Sequence, residues 1–215
     1  MKLTLDTIEI LNNFASVCNN LQFKAGDVVK TKSTRGTIRA EAKLNQSFPR
    51  DFAIYDLNRF ISVLSLYKEP ELDFKNDYVE IKEDNRTLRY VYTDSKMIVS
   101  VDYSKSANLP PELTKFTLTA EHLSRALKAA KLLNLPNLVI QGEKGKVSLI
   151  VTDIKNATSD NYDIEVCDTT ENFKLTFQRD VLVMLPEDYE VTIYGGPITK
   201  LSSAKVTYYL AALVN

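Results

Sequence analysis

His122 is the single histidine of this 215-residue chain, and its two cysteines, Cys18 and Cys167, have no CxxC spacing. Nucleophilic catalysis of the Ser–His–Asp or Cys–His kind needs a base within reach of the nucleophile and a third group to orient it. One histidine without such partners does not supply that constellation, and three residues after Thr119 it reads as a helix-start surface residue. A zinc site needs about four nitrogen, sulfur or oxygen ligands, and the supply is missing. The two thiols read as reduced and mostly buried. No GxxxxGK[ST], GxGxxG or HExxH occurs. The acid pairs Asp51/Asp56 and Asp160/Asp163 are of the right type for Mg²⁺, yet they fall on turns and strands crowded with other acids. The expectation is a protein that is not an enzyme, with no catalytic residue, no metal and no cofactor.

The side chains left to do chemistry are bases. Lys and Arg total 27 against 28 Asp and Glu. This near-balance excludes a globally basic nucleic-acid binder and an acidic solvating chain alike. The distribution is uneven. Residues 22–43 hold Lys24, Lys30, Lys32, Arg35, Arg39 and Lys43 against Asp27 and Glu41. Residues 119–150 hold Arg125, Lys128, Lys131, Lys144 and Lys146 against Glu121 and Glu143. Acids dominate residues 66–94 and, more strongly, 151–172, where Lys155 is the lone base. Arg125, Lys128 and Lys131 step by three along one helix face, opposite Leu123, Leu127 and Ala130. Only Glu121, in the first turn where the helix dipole favours an acid, breaks the sign. An acid-poor face of this kind suits phosphates met through point charges without base reading.

These bases must be positioned by repeating elements. Lys2–Asp6 and Lys115–Thr119 read as short alternating strands ending on helix caps, Asp6 and Thr119, with Glu9 completing a capping box on Asp6. The stripes Ile10, Leu11, Phe14, Val17, Cys18, Leu21 and Leu123, Ala126, Leu127, Ala130, Leu133 then predict two one-faced helices. The first is expected to expose Glu9, Asn12, Asn13, Ser16, Asn19 and Asn20. Hairpins follow, with turns at 24–27, 33–36 and 142–145.

A weaker repeat lies within each half. Phe52–Tyr55 leads into a short helix over Asp56–Leu64 and strands near 72–82 and 88–92. Phe173–Phe177 leads into a helix over Gln178–Leu185 and strands at 189–194 and 205–213. The exposed bases of these two helices are Arg59 and Arg179. Pro110 and Pro111 mark an extended connector over 102–114. The expected fold class is α+β, with two similar domains, 1–108 and 109–215, each built of two strand–helix–strands units. No apolar run approaches the ~20 residues of a membrane span, and Met1–Asp6 carries no leader-like core. The reading is a soluble intracellular protein with no membrane partner.

Met1-Lys2-Leu3, Asp6-Thr7, Asn13-Phe14-Ala15 and above all Ala53-Ile54-Tyr55-Asp56-Leu57-Asn58, with Phe60 and Leu64-Ser65-Leu66, resemble the sliding clamps of T-even-type bacteriophages. The resemblance implies a DNA clamp fold: a homotrimeric ring with sheets outside and helices lining the hole. It further implies a factor that encircles duplex DNA, without sequence preference, and tethers the replicative DNA polymerase. A clamp-loader ATPase complex would open and load the ring, late-transcription factors would be further partners, and the setting would be the cytoplasm of an infected bacterial host. On this resemblance Arg59, Arg125, Lys128, Lys131 and Arg179 face DNA, with Lys24, Lys30, Lys32, Arg35 and Lys144 on hairpins beside the hole. A partner-peptide pocket is expected at Leu44, Leu109, Pro110, Ala211, Ala212 and Leu213. Subunits are expected to meet through Leu88, Tyr90 and Tyr92 on one side and Tyr162, Ile164 and Val166 on the other. Two other readings stand beside this one: an oligomeric β-rich viral structural or assembly protein binding nucleic acid nonspecifically, and a metal-dependent nuclease using the acid-rich strands.

Overall fold

In the computed structural model, residues 1–104, 108–178 and 183–213 are described. They fall into two compact units, Met1–Ser106 and Ala107–Asn215, each a mixture of helix and antiparallel sheet. In the first unit the order is α1 (Leu5–Val17), β1 (Leu21–Phe23), β2 (Gly26–Lys32), β3 (Ile38–Phe48) and β4 (Phe52–Ile54). Then come α2 (Leu57–Leu64), β5 (Glu71–Phe74), β6 (Tyr78–Glu83) and β7 (Arg86–Val91). Strands β4-β1-β2-β3 are neighbours in one sheet and β5-β6-β7 form another.

The β2–β3 ladder shows how period-2 alternation places side chains. Val29 lies opposite Ala42 and Thr31 opposite Ala40, and all four are buried on the face that receives α1. Lys30 opposite Glu41 and Lys32 opposite Arg39 occupy the other face. Helix α1 buries Ile10, Leu11 and Phe14 and packs against α2 as well as the sheet. The ring of Phe23 stacks on Phe52 with centroids 4.3 Å apart, and Phe48, Phe74 and Tyr92 close the same aromatic cluster, joining the two sheets of the unit.

Three expectations for this unit are corrected. Lys2–Asp6 is not a strand capped by Asp6: α1 begins at Leu5 and its cap is Thr4, whose Oγ1 accepts the Thr7 N–H at 3.2 Å. Asp6 therefore sits in the first turn, and no Asp6–Glu9 capping box forms. Asn13 is not on the solvent face but only 8% exposed. The segment near 72–82 is two strands, with a turn at 75–77.

Beyond β7, the Tyr103 hydroxyl enters the sheet between β1 and β2. It accepts the Lys30 N–H and donates to the Gln22 carbonyl, both at 2.9 Å, where the β1–β2 ladder has only the Phe23–Val29 pair. A side-chain hydroxyl thus replaces a missing backbone rung.

The second unit repeats the plan. Its elements are β8 (Glu112–Leu118), α3 (Ala120–Leu132), β9 (Asn137–Glu143), β10 (Lys146–Thr152) and β11 (Asn161–Asp168). They continue with β12 (Phe173–Gln178), β13 (Tyr189–Tyr194), β14 (Ile198–Ser202) and β15 (Val206–Ala211). Strands β15-β14-β13-β8 are neighbours, and a separate sheet has the order β11-β10-β9-β12. Helix α3 packs on β10 and β11 over Val147, Leu149 and Val151. Within its predicted stripe Leu123, Ala126 and Ala130 are buried, whereas Leu127 is half-buried and Leu133, the residue that ends the helix, is 43% exposed. The helix expected over Gln178–Leu185 falls largely outside the described residues, and Gln178 closes β12. Among the described residues no helix is long and apolar enough to cross a membrane.

Candidate nucleic-acid interface

Helix α3 is fixed at both ends, which orients its charged face. Thr119 Oγ1 accepts the His122 N–H at 3.2 Å, and the Asp188 carboxylate accepts the Ala120 N–H at 2.7 Å. At the other end Asn134 takes a left-handed conformation (φ 51°), and the Leu135 N–H reaches back to the Ala130 carbonyl at 2.9 Å. Asparagine tolerates that conformation, and the paired bonds satisfy the carbonyls a helix end leaves open. With Leu123, Ala126 and Ala130 turned inward, Arg125, Lys128 and Lys131 are exposed on the opposite side.

Their electrostatic states differ. Arg125 is held by Glu121 one turn earlier, an i,i+4 ion pair. Lys128 and Lys131 make no ion pair among the described residues, and Lys131 adds its charge to the last turn, where the helix dipole is negative. Both lysines are thus available for phosphate oxygens, while Arg125 must exchange a partner to reach one. His122 is half-buried with its Nδ1 unpartnered, not the surface residue that its place in the sequence predicts.

The other expected bases are scattered. Arg59 is exposed on α2, after Asp56, whose Oδ1 caps the helix by accepting the Arg59 N–H at 2.9 Å. Arg59 lines a groove of about 340 Å³ with Tyr55, Asp56, Arg89, Tyr90, Val91 and Thr93. Lys24 pairs with Asp51 at 2.7 Å. Together with the Ala25 N–H, it holds the Asp51 carboxyl below the ordinary carboxylate range. Lys30 and Lys32 are not on a hairpin tip. Alternation turns them to the sheet face away from α1, where the Lys30 ammonium lies 5.5 Å from the Tyr103 ring centre and 3.6 Å from Glu41. Arg35 does occupy the exposed β2–β3 turn, beside Gly36 (φ 72°). Lys144 and Gly145, both at positive φ, form the two-residue β9–β10 turn and leave Lys144 exposed. Arg179 lies outside the described residues.

For the expected peptide pocket, Leu109 and Pro110 are half-buried, and the neighbouring Pro111 carbonyl accepts the Gly195 N–H at 2.9 Å. Ala211 and Leu213 are half-buried and Ala212 is buried. Leu44 shares the buried face of β3 with Ala40 and Ala42, so it offers no open wall. Of the expected subunit contacts, Leu88, Tyr90 and Tyr92 are half-buried on or just after β7, the last strand of its sheet. Tyr90 packs edge-on to Phe60 and donates to the Asp56 carbonyl at 3.1 Å. Tyr92 has its hydroxyl buried without a partner, and burial pushes its pKa up to about 12. Tyr162, Ile164 and Val166 are half-buried on β11, one of the two end strands of the β11-β10-β9-β12 sheet.

Arg89 and Tyr55 join Arg59 in a groove that the sequence reading passes over. The signal lies in the alternation of β7, which with Leu88 and Tyr90 on one face puts Arg89 on the other. Of the acid pairs, Asp51/Asp56 has structural work: Asp51 ties Lys24 to the Ala25 N–H, and Asp56 caps α2.

Two units, each of antiparallel sheets with an amphipathic helix packed on them, define the DNA clamp fold. The crystal structure of Proliferating Cellular Nuclear Antigen from Entamoeba histolytica superposes with a TM-score of 0.69 over 96% of this chain and 94% of that one, at 14% identity. Sequence comparison goes further. The family described as DNA polymerase processivity factor matches residues 4–100, and gp45 sliding clamp, C terminal, matches residues 115–213. The sliding clamp of Vibrio phage KVP40 is 32% identical across 98% of both chains. That of Escherichia phage RB69 is 28% identical over 98% of this chain and 96% of its own. The chain belongs to the phage sliding clamp family, the non-enzymatic processivity factors of DNA polymerase.

Proposed function

We propose that the protein closes into a homotrimeric ring around duplex DNA and tethers the replicative polymerase of its phage in the host cytoplasm. The observation that carries this reading is the exposed face of α3, where Lys128 and Lys131 make no ion pair among the described residues of a clamp-fold unit. Family membership brings DNA and a polymerase as partners; the ring, its stoichiometry and the residues are the proposal. Processivity of this kind comes from topological linkage, so the helix bases need only weak, screened phosphate contacts that permit sliding.

Arg125, Lys128, Lys131 and Arg59 are the helix residues assigned to DNA, with Lys144 and Arg35 at hairpin turns beside it. Lys30 and Lys32 are omitted because their sheet face is the one away from α1. The subunit edges are β7 and β11, whose joining removes two unpaired strands at once, and a head-to-tail contact that closes gives a ring. The domain division falls near residue 108. Leu109, Pro110, Ala211, Ala212 and Leu213 form the docking site for partner peptides, including those of a clamp-loader ATPase and of late-transcription factors. Light scattering tests the ring: a trimer at physiological salt supports it, and a monomer or an open polymer overturns it. A monomer or polymer that still binds nucleic acid would favour the structural-protein reading.

A further inference from the structure

Four bases of the first unit stand on the β2–β3 ladder with no part in the α3 face. Lys30 and Lys32 on β2 and Arg39 and Lys43 on β3 point away from α1, because their neighbours Val29, Thr31, Ala40 and Ala42 are buried on the side that receives it. The ladder sets these bases in rows: Lys43 opposite Val28, Lys30 opposite Glu41, and Lys32 opposite Arg39. Successive rows are two residues apart, about 7 Å along the strands, so the three rows make a basic stripe about 14 Å long.

Two acids lie beside the stripe and do not neutralise it. Glu41 is shared by Lys30 at 3.6 Å and Arg39 at 3.8 Å, and Asp27 stands 3.7 Å from Lys43. All three separations exceed hydrogen-bond length, unlike the 2.7 Å from Lys24 to Asp51. Among the described residues Lys32 makes no ion pair, and the ammonium groups of Lys30 and Lys43 form no hydrogen bond. Their donors are thus held in register, open to an anion.

The rest of the face selects among polyanions. An acidic peptide that adds as a strand needs a free edge, but β2 lies between β1 and β3, and the Tyr103 hydroxyl takes the Lys30 N–H where β1 stops pairing. An acidic segment with apolar anchors needs apolar ground, and the rows offer Val28 alone among the described residues. A nucleic-acid strand needs neither, since its phosphates repeat at a regular interval and are met by point charges.

We propose that this face is a second nucleic-acid contact, which holds single-stranded DNA by its phosphates on the side of the sheet opposite α1. It meets about three phosphates, one per row, so its log affinity falls with log salt at a slope of about −2. The proposal goes beyond the ring reading and does not rest on it, because the strand held here is not the one encircled.

The test is fluorescence anisotropy of a fluorescein-labelled oligothymidylate of about 20 nucleotides with the full chain, between about 25 and 200 mM salt. The background is Lys128→Glu/Lys131→Glu, which reverses charges of α3 and leaves the β2–β3 face untouched. Binding should persist in that background. Adding Lys32→Glu/Lys43→Glu should weaken it about tenfold at low salt and reduce the steepness of the salt slope by about 1–1.5. Lys32→Gln/Lys43→Gln, a milder change, should give a smaller loss, and circular dichroism checks that each variant folds. Absence of binding in the α3 background, or binding indifferent to Lys32→Glu/Lys43→Glu, overturns the proposal. So does tighter binding of a labelled oligoglutamate of equal charge, which would assign the face to an acidic protein segment. Light scattering on the same samples reads the ring separately: a monomer that binds oligothymidylate as expected overturns the ring and leaves the stripe standing.

Discussion

Replacing Tyr103 by Phe removes one oxygen that serves as a rung of the sheet. The hydroxyl joins the Lys30 N–H to the Gln22 carbonyl, each at 2.9 Å, at the point where β1 and β2 stop pairing directly. Phenylalanine fills the same space and leaves both backbone groups without a partner. An unsatisfied buried donor or acceptor costs about 1–3 kcal/mol, so the loss should be about 2–4 kcal/mol in the first unit. With a urea dependence of about 2 kcal/mol per molar, the midpoint falls by about 1–2 M. The hydroxyl also predicts a pH signature. Burial, opposed in part by the Lys30 N–H, pushes Tyr103 up to about 12 in the folded chain. The unfolded chain ionises near its ordinary 10, so folding loses nothing below pH ~10 and loses this share as pH rises toward 12. The wild-type advantage over Tyr103→Phe should therefore be full at pH 8 and shrink between pH 10 and 12. Urea titrations at pH 8 and 11 measure both. A loss below about 0.5 kcal/mol at pH 8, or a gap that widens with pH, would refute the rung.

The other predictions concern the DNA face and the core. Reversing Arg125 and Lys128 to Glu should leave the trimer intact but impair loading, and should lower the slope of log affinity against log salt by about 2 in duplex titrations. Glu121→Gln releases Arg125 from its ion pair and should strengthen duplex binding about two- to fivefold at low salt. Gly142→Ala would place a methyl 2.5 Å from the Phe173 ring and 2.6 Å from the Glu171 carbonyl, costing about 1–3 kcal/mol by thermal unfolding.

Much of this architecture is legible in the residue pattern, because amphipathic periodicity is a local signal. The stripe Leu123, Ala126, Ala130 and the cap Thr119 locate α3 and its basic face without any tertiary information. Asp56 likewise marks the start of α2. Where the reading failed, a distant partner decided the outcome. Thr4 displaced Asp6 as the cap of α1 because Gln46 of β3 accepts the Thr4 N–H at 2.8 Å. Gly142 looked like a turn residue, but the close approach of Phe173 from β12 explains it. Lys30 and Lys32 belong to a locally basic segment, yet alternation sends them to the face where Tyr103 and Glu41 wait. Tyr103 itself carries no local pattern at all, since its bonds reach back more than seventy residues. The Glu121–Arg125 pair is readable from its i,i+4 spacing, and it leaves Lys128 and Lys131 as the bases of that face with no ion pair among the described residues.

Topological linkage is the central claim, and retention on circular against linear duplex tests it most directly. After loading by the clamp loader, the wild-type protein should stay on a closed circle through gel filtration at moderate salt and be lost once a single cut gives the DNA free ends. Equal retention on both forms, or equal loss from both, would contradict a ring and point to binding through the α3 face alone.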